Sequence, residues 1–271
     1  MTYTALIMAA SRRNEINPLA AAEGVSHKCL LDMDGAPMIE RVLGSLTGSR
    51  YIGDIIISID TKDALKGVPM VEEGLASGRI RIAESGENPY LSVLDALDDP
   101  SIFPVVVSTG DNAMHTVEMV DFYCEAFEKS GADVSVAFCE ESVILPDYLR
   151  GRPAPHRFKD GRFGNCNLFG LKSHAAVRSV KAFEGGGQFG KKKIRFFKAF
   201  GLVNLLIYKY GLLTLEQAFR RLGKRFKLTV VPIMMPHGEA PIDVDNIHDQ
   251  KLARRLLREK REAAEAAAAG S

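Results

Sequence analysis

Apolar positions along the first 140 residues fall into two alternating rhythms. Short β-branched blocks have the length and character of buried strands: Ala5–Ala9, "IGDIIISID" from Ile52, "RIRIAE" from Arg79, "FPVVVSTGD" from Phe103 and "DVSVAFCE" from Asp133. Between them the spacing changes to that of helices. "MIERVLGSL" puts Ile39, Val42, Leu43 and Leu46 on one face, and "YLSVLDAL" turns Leu91, Leu94, Ala96 and Leu97 inward. "TVEMVDFYCEAFEKSG" predicts a helix capped by Thr116 and closed by Gly131.

The second half is less regular. "GRFGNCNLFGLK" and "KLTVVPIMM" read as strands, the first with a glycine-rich approach, and residues 191–222 as an apolar, basic and helical stretch. "PIDVDNIHDQ" is an acidic turn leading into a long C-terminal helix, with Asn246 or Asp249 as its cap. The end, "AAEAAAAGS", is low in complexity and is expected to be a disordered tail over 261–271.

Strands alternating with helices predict βαβ units and a mostly parallel sheet flanked by helices, with a helical insertion in the second half. Ligands of such sheets sit beyond the carboxyl ends of the strands. Two polar segments fall there: the loop after Ala9 and "STGDN" after Val107.

Composition narrows the class. The chain has 271 residues, 35 Lys+Arg against 34 Asp+Glu, and 46% hydrophobic residues, which suits one large α/β domain with no overall basic bias toward nucleic acid. Cys29, Cys124, Cys139 and Cys166 lack zinc or disulfide spacing and fit reduced thiols, hence a cytoplasmic location. The sequence shows neither a signal peptide nor an apolar run long enough to span a bilayer.

The opening loop carries the first candidate chemistry. Arg12, Arg13 and Lys28 flank a polar segment that emerges from the first strand. They suit either a phosphate-binding loop, where main-chain N–H groups and cations meet phosphate oxygens, or a solvated basic surface.

At these residues the chain resembles the MobA-like nucleotidyltransferases. "LIMAASRR…HKCLLDMDGAPMIERVL" follows the family's strand–L-A-A-G-x-x-x-R loop and its K-x-L-x-x-x-x-G-x-P-M segment. "VVVSTGDNAMHTVEMVDFY" and "PIDVDNIHDQKLARRLL" follow two further family motifs in the right order. Ser11 stands where the family usually has glycine, the loop up to Lys28 is longer than the common form, and "DNIHD" replaces a T-P-E-D turn.

The resemblance implies a Rossmann-like domain of the GT-A type spanning 1–271. Residues 1–140 would form the nucleotide half and 141–260 the acceptor half. It implies transfer of a nucleoside monophosphate from an NTP to a phosphorylated acceptor, with release of pyrophosphate. Ala9, Ala10, Ser11, Arg12, Arg13 and Gly110 would wrap the nucleotide, and Lys28, with Arg13, would neutralise phosphate charge during attack. Asp111 would hold Mg²⁺, completed by Asp243 and Asp245 from the distant acidic turn. Gly86 and Ser92, in a stretch like that of cytidylyltransferases, would lie near the base, making CTP the first choice and GTP the next. Asn165 and Asn167 would line the acceptor side.

Simpler roles compete with these. Asp111 suits a turn, Asp243 and Asp245 suit a helix-capping turn, Ser92 suits a helix N-terminus, and asparagines beside glycine suit turns. His27 reads as a structural or substrate-contact histidine rather than an acid–base group. Two other functions share the fold: a glycosyltransferase that consumes a nucleotide sugar, and a non-catalytic nucleotide-binding protein. The basic-then-apolar order over 191–213 suits a buried layer or homodimer interface, a peripheral membrane contact, or a wall for a lipid-linked acceptor.

Overall fold

The computed structural model describes residues 1–10, 17–85, 89–150, 155–183 and 210–269. Its strands are β1 (Tyr3–Met8), β2 (Ile52–Ile59), β3 (Ile80–Glu84), β4 (Val105–Thr109), β5 (Val134–Glu140), β6 (His156–Phe158), β7 (Gly161–Leu171) and β8 (Val230–Met234). They form one sheet in the order β3-β2-β1-β4-β7-β5-β8, with β6 paired to β7. β1 lies parallel to β2 and β4, β2 to β3, and β5 to β8. β7 runs antiparallel between β4 and β5. The α/β, Rossmann-like and mostly parallel architecture expected from the alternation is therefore the one found, with this single reversed strand joining its halves.

Alternation along the central strands fills both faces. Ala5 and Ile7 of β1 join Ile55 and Ile57 of β2 in a core packed against α2 (Met38–Thr47) and α5 (Val117–Ser130). Leu6, Ile56, Val105 and Val107 face the other way, toward Val93 and Leu97 around α4 (Pro89–Ala96), Val177, and Phe219 of the helix over 215–226. A strand buried on both faces reads as a continuous apolar run, which is why β1, β2 and β4 were conspicuous in the sequence. The four cysteines are all buried and unpaired.

Shorter helices fill the connections: α1 (Pro18–Glu23), α3 (Pro69–Ala76) and α6 (Pro146–Leu149). α7 (Leu215–Phe226) opens on a capping box between Thr214 and Gln217. Most of the segment 191–213, with its basic and apolar order, lies outside the described residues. Among the described residues no helix is long and apolar enough to cross a membrane.

The last helix, α8 (Ile247–Ala269), runs through most of the stretch expected to be a disordered tail. Alanine favours helix, and the Arg261–Glu265 pair lies one turn apart on its surface. Asn246 and Asp249 both cap it. The Asn246 side chain accepts from the Asp249 N–H at 3.2 Å, and the Asp249 carboxylate accepts from the Asn246 N–H at 3.2 Å. α8 is also laced to the N-terminal half. Gln250 and Arg254 both bind the Glu23 carboxylate of α1, at 2.8 and 2.5 Å, and Arg254 donates to the Asp32 carbonyl.

Candidate active site

The carboxyl ends of β1 and β4 meet closely. The Gly110 N–H donates to the Met8 carbonyl at 2.9 Å, and the Ala9 N–H donates to the Ser58 carbonyl on β2 at 2.9 Å. A side chain at 110 would put a Cβ 3.1 Å from the Ala9 Cα and 3.2 Å from its Cβ. Glycine therefore lets the two strand ends approach, and the loop that follows Ala9 and Ala10 starts from this junction.

Lys28 sits in a short 3-10 turn, Lys28–Leu30, just after α1. Its ammonium donates to Asp111 Oδ2 at 2.5 Å and to Asp245 Oδ1 at 3.2 Å. The three residues come from three remote parts of the chain, Lys28 and Asp245 being 217 positions apart. The acidic turn is brought there by its own backbone, since the Val244 N–H donates to the Asp111 carbonyl at 3.1 Å. Buried His115 supports the same turn, with Nε2 donating to the Ala240 carbonyl at 3.1 Å. Burial pushes its pKa down to about 4, so it remains neutral.

Burial works against both members of the central pair, and their mutual attraction outweighs it. Desolvation alone would raise the Asp111 carboxyl, but the Lys28 charge and the hydrogen bond from Thr109 hold it below the usual range. Desolvation would likewise lower Lys28, but Asp111 and Asp245 hold it above its ordinary value. Both groups stay charged at neutral pH.

Asp243 belongs to the same cluster by a different route. Its Oδ1 is 2.6 Å from the Tyr148 hydroxyl, which is also 2.6 Å from the Pro241 carbonyl. Its Oδ2 accepts from the Asn167 amide at 3.4 Å. Asn165 has a local role here, its Oδ1 accepting from the Asn167 N–H at 2.8 Å. Ser92 is buried on α4, under the sheet face opposite α2. His27 is held between Ser26 and Asp60, with Nε2 donating to the Asp60 carboxylate at 3.0 Å.

Lys28, Asp111, Asp243, Asp245, Gly110, Ala9, Ala10, Asn165 and Asn167 thus gather at one edge of the sheet. Ser11, Arg12, Arg13 and Gly86 lie outside the described residues. Thr109, Asn112 and Tyr148 were not anticipated. Asn112 follows Asp111 directly, so its place was legible in "TGDN". Tyr148 carries no local signal.

Oxygen donors dominate the cluster, in which two carboxylates, Asp111 and Asp245, meet the Lys28 ammonium and a third, Asp243, is held beside them by Tyr148 and Asn167. The surplus of negative charge fits a divalent cation of the Mg²⁺ kind. Among the described residues no three His, Cys, Asp or Glu side chains converge into a ready cage. Mg²⁺ usually takes one or two carboxylates and completes its shell with water and substrate phosphates, so an open acidic edge suits it better than a closed site would.

Lys28 and an acidic edge thus stand together beyond the carboxyl ends of β1 and β4. The MobA-like NTP transferase domain matches residues 5–222, and the chain belongs to that family of nucleotidyltransferases acting on NTPs. Solved structures share the fold at low identity. A hypothetical transferase from Thermus thermophilus is 20% identical and aligns over 92% of this chain and 100% of its own, with a TM-score of 0.73. A putative glucose-1-phosphate thymidylyltransferase from Bacillus anthracis is 14% identical, with coverages of 95% and 96% and a TM-score of 0.61. The 4-diphosphocytidyl-2C-methyl-D-erythritol synthase of Anaerococcus prevotii is 15% identical, with coverages of 95% and 98% and a TM-score of 0.57. No curated protein matches the chain.

Proposed function

We propose that the enzyme transfers a nucleoside monophosphate from an NTP, with CTP first and GTP next, to a phosphorylated small-molecule or lipid-linked acceptor. An acceptor phosphate oxygen attacks the α-phosphorus, the bond to the bridging oxygen of the β-phosphate breaks, and pyrophosphate leaves. The nucleophile belongs to the substrate, so the protein supplies position and charge rather than a covalent intermediate. The observation that carries this reading is the Lys28 ammonium held against Asp111 and Asp245 where the β1 and β4 ends meet.

Asp111, with Asp243 and Asp245, would hold Mg²⁺. When bound, the ion would polarise phosphate oxygens and offset their charge. Lys28 keeps its proton throughout and would place its charge on the α-phosphate, with Arg12 and Arg13 on the rest of the triphosphate. Asn165 and Asn167 would stand at the acceptor side. The preference for CTP draws on the cytidylyltransferase-like stretch at Gly86 and Ser92 and on the cytidyl compound in the name of one structural neighbour.

The test is a pyrophosphate-release screen of the four NTPs, with Mg²⁺, against phosphorylated sugars, polyols and lipids, with products weighed by mass spectrometry. Pyrophosphate release that depends on both substrates is expected. Glycosyl transfer from a nucleotide sugar, with no pyrophosphate from any NTP, would replace the proposal by the glycosyltransferase alternative.

A further inference from the structure

β7 departs from regular pairing at one place. Val136 of β5 pairs with Phe169, yet Phe138 pairs with Asn165, so two steps along β5 span four along β7. The extra residues form a bulge, and within it Asn167 has φ of 54°, a left-handed backbone that side chains other than glycine rarely adopt. The neighbouring Leu168 is paired to Ser108 on β4, so the bulge lies beside the strand end that carries Asp111.

The bulge turns the Asn167 amide into the acidic edge. Its Nδ2 donates to Asn112 Oδ1 at 3.3 Å and to Asp243 Oδ2 at 3.4 Å. Fully buried Asn112 uses its own Nδ2 to donate to Thr109 Oγ1 at 2.6 Å, and Thr109 donates to Asp111 Oδ1 at 2.5 Å. The proton count closes. Two N–H groups of Asn167 meet two acceptors, and each later link on the Asn112 side has one donor and one acceptor, ending on the Asp111 carboxylate, which Lys28 keeps ionised. Hydrogen bonds donated outward from Asn167 in both directions therefore connect Asp243 of the C-terminal turn, through Asn112 and Thr109, to Asp111 of β4.

We propose that Asn167 is a positioning residue. By bridging Asn112 and Asp243 from a strained bulge, it fixes how far apart the Asp111 and Asp243 carboxylates stand, and so sets the affinity of the acidic edge for a divalent cation. This role rests on the metal reading of the site. Outer partners of carboxylate ligands commonly change metal affinity by roughly 10- to 100-fold. Strain is retained where a local conformation serves a function.

The position offers a clean separation of fold from function. Glycine accepts φ of 54° without cost, so Asn167→Gly removes the amide while relieving the backbone. Mn²⁺ alone, titrated into the full-length protein and followed by loss of the free-ion electron paramagnetic signal, is the probe, with the melting temperature measured in parallel without metal. Asn167→Gly is expected to keep or raise the wild-type melting temperature and to weaken Mn²⁺ binding by roughly 10-fold or more. Wild-type Mn²⁺ affinity in Asn167→Gly would overturn the proposal. A fall in its melting temperature alongside the loss of affinity would also do so, by making Asn167 a residue of the fold. A wild-type protein that takes up no Mn²⁺, while Asp111→Asn behaves identically, would overturn the metal reading beneath it.

Discussion

Lys28→Met retains the buried stem of the side chain and removes its charge, so it isolates what the ammonium does. Asp111, whose side chain is 17% exposed, then loses its principal counter-charge, while Asp245 at 58% stays largely solvated. Breaking a fully buried pair costs about 3–5 kcal/mol. Exposed pairs contribute roughly 0–1 kcal/mol. The Asp111 pair is mostly but not wholly buried, which places the cost at about 2–3 kcal/mol. With an unfolding entropy of about 2.1 cal/mol/K per residue, such a loss lowers the melting temperature of a chain this long by roughly 4–5 °C.

The pH dependence gives the sharper test. In the wild type the folded pKa of Asp111 lies below its unfolded value, so the pair's stability is present above the ordinary carboxylate range and is lost only as pH falls through the depressed value. In the variant, burial, the largest of the effects on this carboxyl, is opposed only by the hydrogen bonds from Thr109 and the main chain, and it raises that pKa instead. The penalty is then full at neutral pH and fades as Asp111 takes up a proton. The gap in melting temperature between the two proteins should therefore be widest near pH 7.5, narrow toward about pH 4, and close only below that as the wild-type Asp111 takes up its proton. Differential scanning calorimetry across that range measures it. A gap of constant size from pH 7.5 to 4.5, or none at pH 7.5, would refute the assignment of the stabilisation to this pair. In the pyrophosphate assay the same variant should lose about 100-fold or more in kcat with a smaller change in KM, as expected of a charge that acts on the transition state. An unchanged kcat with a raised KM would make Lys28 a binding residue only.

Asp111→Asn should stay folded and abolish pyrophosphate release, and full turnover in that variant would remove Asp111 from the reaction. Gly110→Ala forces a Cβ against Ala9 and should lower stability by about 1–3 kcal/mol while raising the KM for the nucleotide. Wild-type stability and kinetics would mean that the strand ends tolerate separation. Arg254→Ala removes the bond to Glu23 that ties α8 to α1. It should cost about 1 kcal/mol, read as a fall of roughly 2 °C in melting temperature at low salt that shrinks at high salt. A loss independent of salt would point to packing instead.

The sequence by itself determined the element types and the chemical vocabulary of the site. Local spacing sufficed for β1, β2, β4, α2 and α5, because a strand buried on both faces and a helix with one apolar stripe leave different periods in a few consecutive residues. Lys28, Asp111 and the acidic turn at Asp243–Asp245 stood out because charged groups directly after apolar strands, or before a long helix, are visible as motifs.

Only the tertiary structure decided what these residues do to one another. Nothing local says that Lys28 meets Asp245 across 217 positions, or that β7 enters antiparallel between β4 and β5. It was the register of that entry, with its bulge, that aimed the amide of Asn167, expected on the acceptor side or in a turn, at Asn112 and Asp243. Tyr148 is a buried aromatic on a four-residue helix until the 241–243 segment folds against its hydroxyl. Periodicity records which face of an element is buried. Which partner covers that face, and where along the strand it pairs, is set by packing and hydrogen bonds between segments far apart in the chain, and no single segment carries that information.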